Sequence, residues 1–191
     1  MIKPHQAAVL VHDVHLTSER LFIRRSVQKD QSLMIRHESN AEIMRFILTI
    51  GSHQETVAGV NEMLQRWHGD EGVWVSLSVL LRPEYNDADE PIGFVFLNIV
   101  SYQKGIIEIG YRLHPDYHGS GYGVEAVKLF LQWLEAELQP NQCVAYCVCD
   151  NLPSWHLLEK LGFSRQKHIL KGAEIDGTTY DEYFYVKLCD Q

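Results

Sequence analysis

Cysteine is scarce in this chain and wrongly spaced for redox or zinc chemistry. The four present, Cys143, Cys147, Cys149 and Cys189, contain no CxxC pair and are too few for a disulfide scaffold. On a strand, Cys143, Cys147 and Cys149 would share one side, which reads as reduced thiols in a core. Of the ten histidines His12 and His15 lie closest together, and no third ligand stands beside them at helical or strand spacing, so no metal is expected. Long apolar runs are missing too. The run AAVLV at 7–11 is interrupted on its flanks by His5, His12 and Asp13, and is too short for a signal core or a membrane span, which points to a cytoplasmic protein. Clustered Lys and Arg are also absent. With 17 basic against 25 acidic residues and a net charge of -8, a broad nucleic-acid or anionic-membrane surface is disfavoured, because neutralising phosphates takes grouped cations. A local anion site remains open.

What is present describes a globular domain. At 191 residues, 46% hydrophobic and 22% charged, the chain can bury one substantial core without cross-links, and one domain is the default. Residues 1–15 read as a loosely packed extension ahead of a domain over 16–191. A short strand is expected around Leu21 to Arg24, then helical patterns in QSLMIRHESNAEIMRFIL and ETVAGVNEMLQRWHG, the second with Val57, Val60, Met63, Leu64 and Trp67 in one stripe. VWVSLSVLL alternates, with Ser76 and Ser78 opposite its apolar face. PEYNDADEP reads as a solvated hairpin tip carrying Glu84, Asp87, Asp89 and Glu90, and IGFVFLNIV, apolar on both faces, as a central strand.

GIIEIGYRL is the informative strand. Ile107, Ile109, Tyr111 and Leu113 point one way, and Glu108, Gly110 and Arg112 the other. One face belongs to a core and the other to something polar. From Gly121 to Leu138 the pattern is helical, with Val124, Val127, Leu131, Leu134 and Leu138 inside and Glu125, Lys128, Gln132 and Glu135 outside. CVAYCVCD reads as a buried strand, PSWHLLEKLG as a short helix, and FSRQKHIL and TTYDEYFYVKL as terminal strands. The fold class is a mixed α/β single domain.

Between strand and helix, HGSGYGVEA holds Gly119, Gly121 and Gly123. Glycine admits positive φ and close backbone approach, and successive amides opening a helix form an anion site, so this turn asks for phosphate. A Walker loop would need Lys and then Ser or Thr where Val124 and Glu125 stand, and a dinucleotide fingerprint would sit near the start of a βαβ unit.

The segment HGSGYGVEA resembles the acetyl-CoA pyrophosphate loop of the GNAT N-acetyltransferase superfamily. LTSERLFIRR, EIGYRL and NLPSWHLLEKLGF resemble, in order, segments of its ribosomal-protein (RimJ/RimL-like) branch, so the resemblance spans roughly 16–188. It implies a single-domain GNAT fold: a mixed, mostly antiparallel sheet flanked by helices, with a V-shaped splay between the fourth and fifth strands. Acetyl-CoA would lie in that splay as co-substrate. Backbone groups of Tyr111, Arg112 and Leu113 and the side chain of Asn151 would hold the pantetheine arm, though Asn151 also suits a turn. Amides of Gly119, Ser120, Gly121, Tyr122, Gly123 and Val124 would hold the pyrophosphate. His118 stands where the family has Gln or Arg. A diphosphate beside an imidazole favours its cationic form, which predicts weaker cofactor binding above neutral pH.

Acetyl transfer needs a neutral amine and a proton for the departing thiolate. Glu108 is the candidate base or acceptor-positioning group, against an exposed strand charge or a partner for Arg112. Leu158 replaces the phenol many relatives use on the thiolate, which leaves Ser154 as donor or relay, against a helix cap. His156 reads as a surface or packing residue. The implied partners are acetyl-CoA and an amine acceptor, a protein N-terminus or a small amine, without nucleic acid or membrane. A homodimer is compatible. A non-catalytic acyl-CoA-binding domain is the alternative function.

Overall fold

Alternating and two-sided apolar strands assemble into one eight-stranded sheet in the computed structural model, which describes residues 2–84 and 89–189. The chain runs α1 (Pro4–His12), β1 (His15–Thr17), β2 (Leu21–Arg25), α2 (Gln31–Glu38), α3 (Ala41–Met44), α4 (His53–Leu64), β3 (Trp74–Leu81), β4 (Pro91–Ser101) and β5 (Ile106–Leu113). It continues through α5 (Tyr122–Trp133), β6 (Gln142–Val148), α6 (Leu152–Lys160), β7 (Ser164–Ile175) and β8 (Thr178–Leu188). The strand order is β1-β2-β3-β4-β5-β6-β8-β7. Every neighbouring pair is antiparallel except β5 and β6. This is the expected α/β single-domain architecture.

The two faces of the sheet carry different cores. Val75, Leu77, Val95, Leu97, Ile107 and Ile109 pack with Val127, Phe130, Leu131 and Leu134 of the α5 segment and Leu158 of α6. On the opposite face Phe94 and Phe96 meet Met34 of α2 and Val60 of α4. β4 is therefore covered on both sides, as its uninterrupted apolar run requires.

Several expectations are corrected here. The N-terminal segment is not loosely packed: Ala7 and Val11 are 0% exposed and belong to the larger core. Ala7, Ala8 and Val11 form a stripe at helical spacing, and the residues that break up the run in sequence lie off it, with His12 Nε2 2.9 Å from the Trp67 carbonyl. Ser76 and Ser78, opposite the apolar face of β3, are buried as well. Their hydroxyls join Ser26 at 2.9 Å each, and Ser78 donates to Asp30 at 2.8 Å. Burial alone would raise the Asp30 carboxyl, yet hydrogen bonds from Arg24, the Val27 amide and Ser78 outweigh it and hold the group below its ordinary value. The first long helical pattern breaks at Asn40, whose side chain caps α3, and Trp67 lies beyond the end of α4, buried in the larger core. Of the expected hairpin tip, Asp87 lies outside the described residues, and Asp89 and Glu90 pair with Lys29 and Arg36.

Candidate active site

β5 and β6 pair through only three residue pairs, Ile106↔Gln142, Ile107↔Cys143 and Glu108↔Val144. β5 runs on to Leu113 and β6 to Val148, so the strands part beyond Glu108. The main-chain edge of 109–113 is left without a ladder partner on that side, which opens a wedge where an extended ligand can bond to backbone. The splay falls between the strands the sequence marks as fourth and fifth; the short β1 shifts the count by one.

The glycine turn closes the wide end of the wedge. Gly119 has φ +74° and Gly121, the N-cap of α5, φ +82°, left-handed conformations that cost most residues free energy. The Glu125 amide bonds to the Gly121 carbonyl at 3.1 Å as the first helical bond of α5, so the amides of Tyr122, Gly123 and Val124 have no helical acceptor. A side chain at Gly119 would meet nothing within 4 Å: the turn presents bare backbone to open space. Val124 also borders a cleft of about 370 Å³ that contains Lys128 and Lys160. A turn of free amides opening a helix fits a diphosphate. His118 commits one ring nitrogen to the turn itself, with Nε2 3.0 Å from the Leu113 carbonyl.

Sequence reading placed Glu125 outside and passed over Arg20, and together these brace the turn. Arg20 Nε donates to Glu125 at 2.7 Å, Nη1 donates to the Ser120 carbonyl at 3.0 Å, and the guanidinium lies 4.3 Å from the Tyr122 ring centroid. Ser18 Oγ donates to the same carboxylate at 2.7 Å. The partners are 105 residues apart, so only the fold brings them together. Arg20→Ala frees the Ser120 carbonyl and leaves Glu125 without its cation. Calorimetry is expected to find acetyl-CoA bound about tenfold more weakly, in line with the loss of one charged hydrogen bond, and unaltered affinity would show that the turn holds itself.

On one face of β5, the Tyr111 hydroxyl lies 2.9 Å from both Ser154 Oγ and the Ser154 carbonyl. Burial raises the Tyr111 phenol above its ordinary value, so it stays protonated as a donor. Ser154 is not the cap of α6: Asn151 occupies that position without a side-chain cap bond, and Ser154 sits inside the first turn. A phenol from β5 thus stands beside Ser154, on a residue considered above only for its backbone. Cys147 lies next to this pair, and burial pushes its thiol up to about 11. His156 is exposed and packs on Trp155, ring centroids 3.9 Å apart.

The other face of β5 carries Glu108, Gly110 and Arg112 toward β4 residues Asn98, Phe96 and Phe94. Arg112 is buried, bonded to Glu38 and placed 4.6 Å from the Phe96 ring. Glu108 is therefore not its partner, and the polar face of β5 is built from two separate units. The Asn98 amide approaches Glu108 at 3.5 Å. Burial pushes the Glu108 carboxyl above the ordinary glutamate range, the Asn98 hydrogen bond opposes this, and the charge on Glu182 adds to it. One strand thus places a carboxylate and a hydroxyl pair at opposite sides of the same wedge.

A family model described as an acetyltransferase (GNAT) domain matches residues 20–164. Among curated relatives, the uncharacterized N-acetyltransferase YnaD of Bacillus subtilis is 28% identical over 179 residues, covering 92% of this chain and 97% of its own. Among solved structures, a GNAT-family acetyltransferase from Bacillus anthracis superposes with TM-score 0.75 at 25% identity over 92% of this chain and 98% of its own. The RimL ribosomal L7/L12 alpha-N-protein acetyltransferase, solved with coenzyme A, superposes with TM-score 0.77 at 16% identity over 93% and 99%. The splayed sheet and its flanking helices therefore sit in a known architecture: the chain belongs to the GNAT acetyltransferase family, and it is an N-acetyltransferase.

Proposed function

We propose that the chain moves the acetyl group of acetyl-CoA onto a primary amine by direct attack in a ternary complex, in the manner of the ribosomal-protein branch that its motifs resemble. The observation that carries this reading is the division of β5 at the wedge, with Glu108 on one face and the Tyr111–Ser154 hydroxyls on the other. The Gly119–Val124 amides bind the diphosphate, and the free edge of β5 with the Asn151 amide orients the pantetheine arm. Glu108, more basic than a solvated carboxylate, takes the proton of the incoming ammonium, directly or through a water. With the single Tyr111 proton turned from the Ser154 carbonyl to Ser154 Oγ, both 2.9 Å away, the Ser154 hydroxyl is free to donate to the sulfur as the carbon–sulfur bond breaks. A thiolate leaves with little help, because a thiol's reference pKa is about 8.5.

Acetyl-CoA-dependent thiol release, measured against peptides with different N-termini, linear amines and aminoglycosides, tests the reading. One acceptor giving one thiol per acetylated amine supports it. Thiol release that proceeds at the same rate with and without every amine overturns it.

A further inference from the structure

The sheet face that carries Glu108 holds a second acid that pairs with no described residue. Side chains two apart share a face, and the register sets Asn98 across from Glu108, Val144 beside it, and Tyr146↔Phe184 and Val148↔Glu182 farther along β6 and β8. Asn98, Glu108, Tyr146, Phe184 and Glu182 therefore line one side of the widening wedge. Glu182 is half-buried and makes no hydrogen bond or ion pair with any described residue. It lies within electrostatic range of both Glu108 and Tyr146.

Asn98 supplies a second, independent observation on this face. It is 9% exposed, and its Oδ1 is buried without a hydrogen-bond partner among the described residues, an arrangement that costs free energy unless a donor arrives. Among the described residues neither nearby cation pairs with Glu182: Arg112 is engaged by Glu38, and Lys167, across from Phe184 with its ammonium 5.9 Å from that ring, is exposed and forms no ion pair with Glu182. Two unneutralised carboxylates, an unfilled acceptor and two aromatic rings describe a wall made for a cationic guest.

The guest's shape is limited by a strap across this side. The Asp176 amide at the β7–β8 tip donates to Thr49 Oγ1 at 2.7 Å, and the Tyr180 and Phe46 rings meet edge to face at 5.9 Å. The hairpin is thereby joined to the α3–α4 connection, which favours a slim chain over a folded surface.

We propose that Glu182, with Tyr146 and Phe184, binds a second positive charge on the acceptor, several bonds from the amine that Glu108 deprotonates and Asn98 Oδ1 receives, so that the chain prefers linear dicationic amines. This rests on the amine-transfer reading above. The test compares 1-butylamine with 1,4-diaminobutane, by calorimetry in the presence of coenzyme A and by thiol release. The diamine is expected to bind about tenfold more tightly than the monoamine, the effect of one charge-assisted contact. In E182Q that preference falls toward one, and in the exposed Tyr146→Ala it narrows. Coenzyme A binding in the same samples reports whether each variant is folded. Equal binding of the two amines, or a preference that survives in E182Q, overturns the subsite. A diamine preference lost in E182Q sustains it even where thiol release fails, and in that case the transfer reading falls instead.

Discussion

Glu108→Gln is expected to lower kcat by about two orders of magnitude or more, the usual reach of a positioned general base, with acetyl-CoA affinity retained. An alkyl ammonium with a pKa of about 10.4 is almost wholly protonated at neutral pH, so attack waits on proton removal. Glu108 is suited to that task because burial, reinforced by Glu182 and opposed by Asn98, lifts its basicity. The same lift has a consequence for the pH profile: the acidic limb of kcat/KM should lie above the ordinary carboxylate range and disappear in the variant. It also fixes the sign of a stability control. A carboxyl whose pKa is raised on folding binds protons more readily in the folded state, so its contribution to stability falls as pH rises through that window. Gln removes the charge that burial penalises, and the variant's thermal midpoint at neutral pH should be equal to or higher than that of the parent. A slow but stable enzyme places Glu108 in the chemistry. Wild-type turnover from pH 6 to 9 removes it.

Elements whose causes are local were legible in the sequence. β4 shows an unbroken apolar run because both its faces are covered, and β5 alternates because one face meets a core while the other carries Glu108 and Arg112. The glycine turn was legible because positive φ at Gly119 and Gly121 is a backbone demand that the residue type advertises. Where the reading failed, its causes were either distant or in competition. The alternation of β3 does not reveal what its serines meet, because their partners Ser26 and Asp30 lie about fifty residues earlier. Asn40 and the Ser52–Glu55 capping box do mark helix starts, but an apolar period running through Asn40 hid the break. Pro153 lies within the first two positions of α6, which moves the cap back to Asn151 and leaves Ser154 inside the helix.

The functional wall was less legible than the loop for the same reason. Tyr111 meets Ser154 across 43 residues, and Arg112 meets Glu38 across 74. Glu182 reads as one charge among several in TTYDEYFYVKL until the register of β6 and β8 puts it on the face of Glu108. A motif encodes where backbone must be bare. It does not encode which side chains from other elements will look into the space so created.

Gly121→Val is expected to abolish measurable acetyl-CoA binding, raising Kd by about a hundredfold or more through loss of several charged hydrogen bonds to the diphosphate. Gly121 holds φ +82° as the N-cap of α5. That conformation costs an L-residue roughly 1–2 kcal/mol and is a severe outlier for a β-branched one. A side chain there also begins 3.5 Å from Arg20 Nη2, so the branches press on the guanidinium that holds the Ser120 carbonyl. The turn escapes the strain by rotating its peptide planes, which turns the amides away from the ligand. Gly123→Ala separates this cause from mere loss of a small residue. Gly123 has no positive φ, and its added methyl group would meet Leu157 Cδ1 at 3.3 Å, a contact with a flexible side-chain end. Thermal unfolding with and without ligand reads the difference, since a ligand that binds only the folded state raises the midpoint. The Gly123→Ala protein should keep most of its acetyl-CoA-induced shift and the Gly121→Val protein should show none. Equal shifts in the two would mean that grip on the diphosphate does not depend on the left-handed turn.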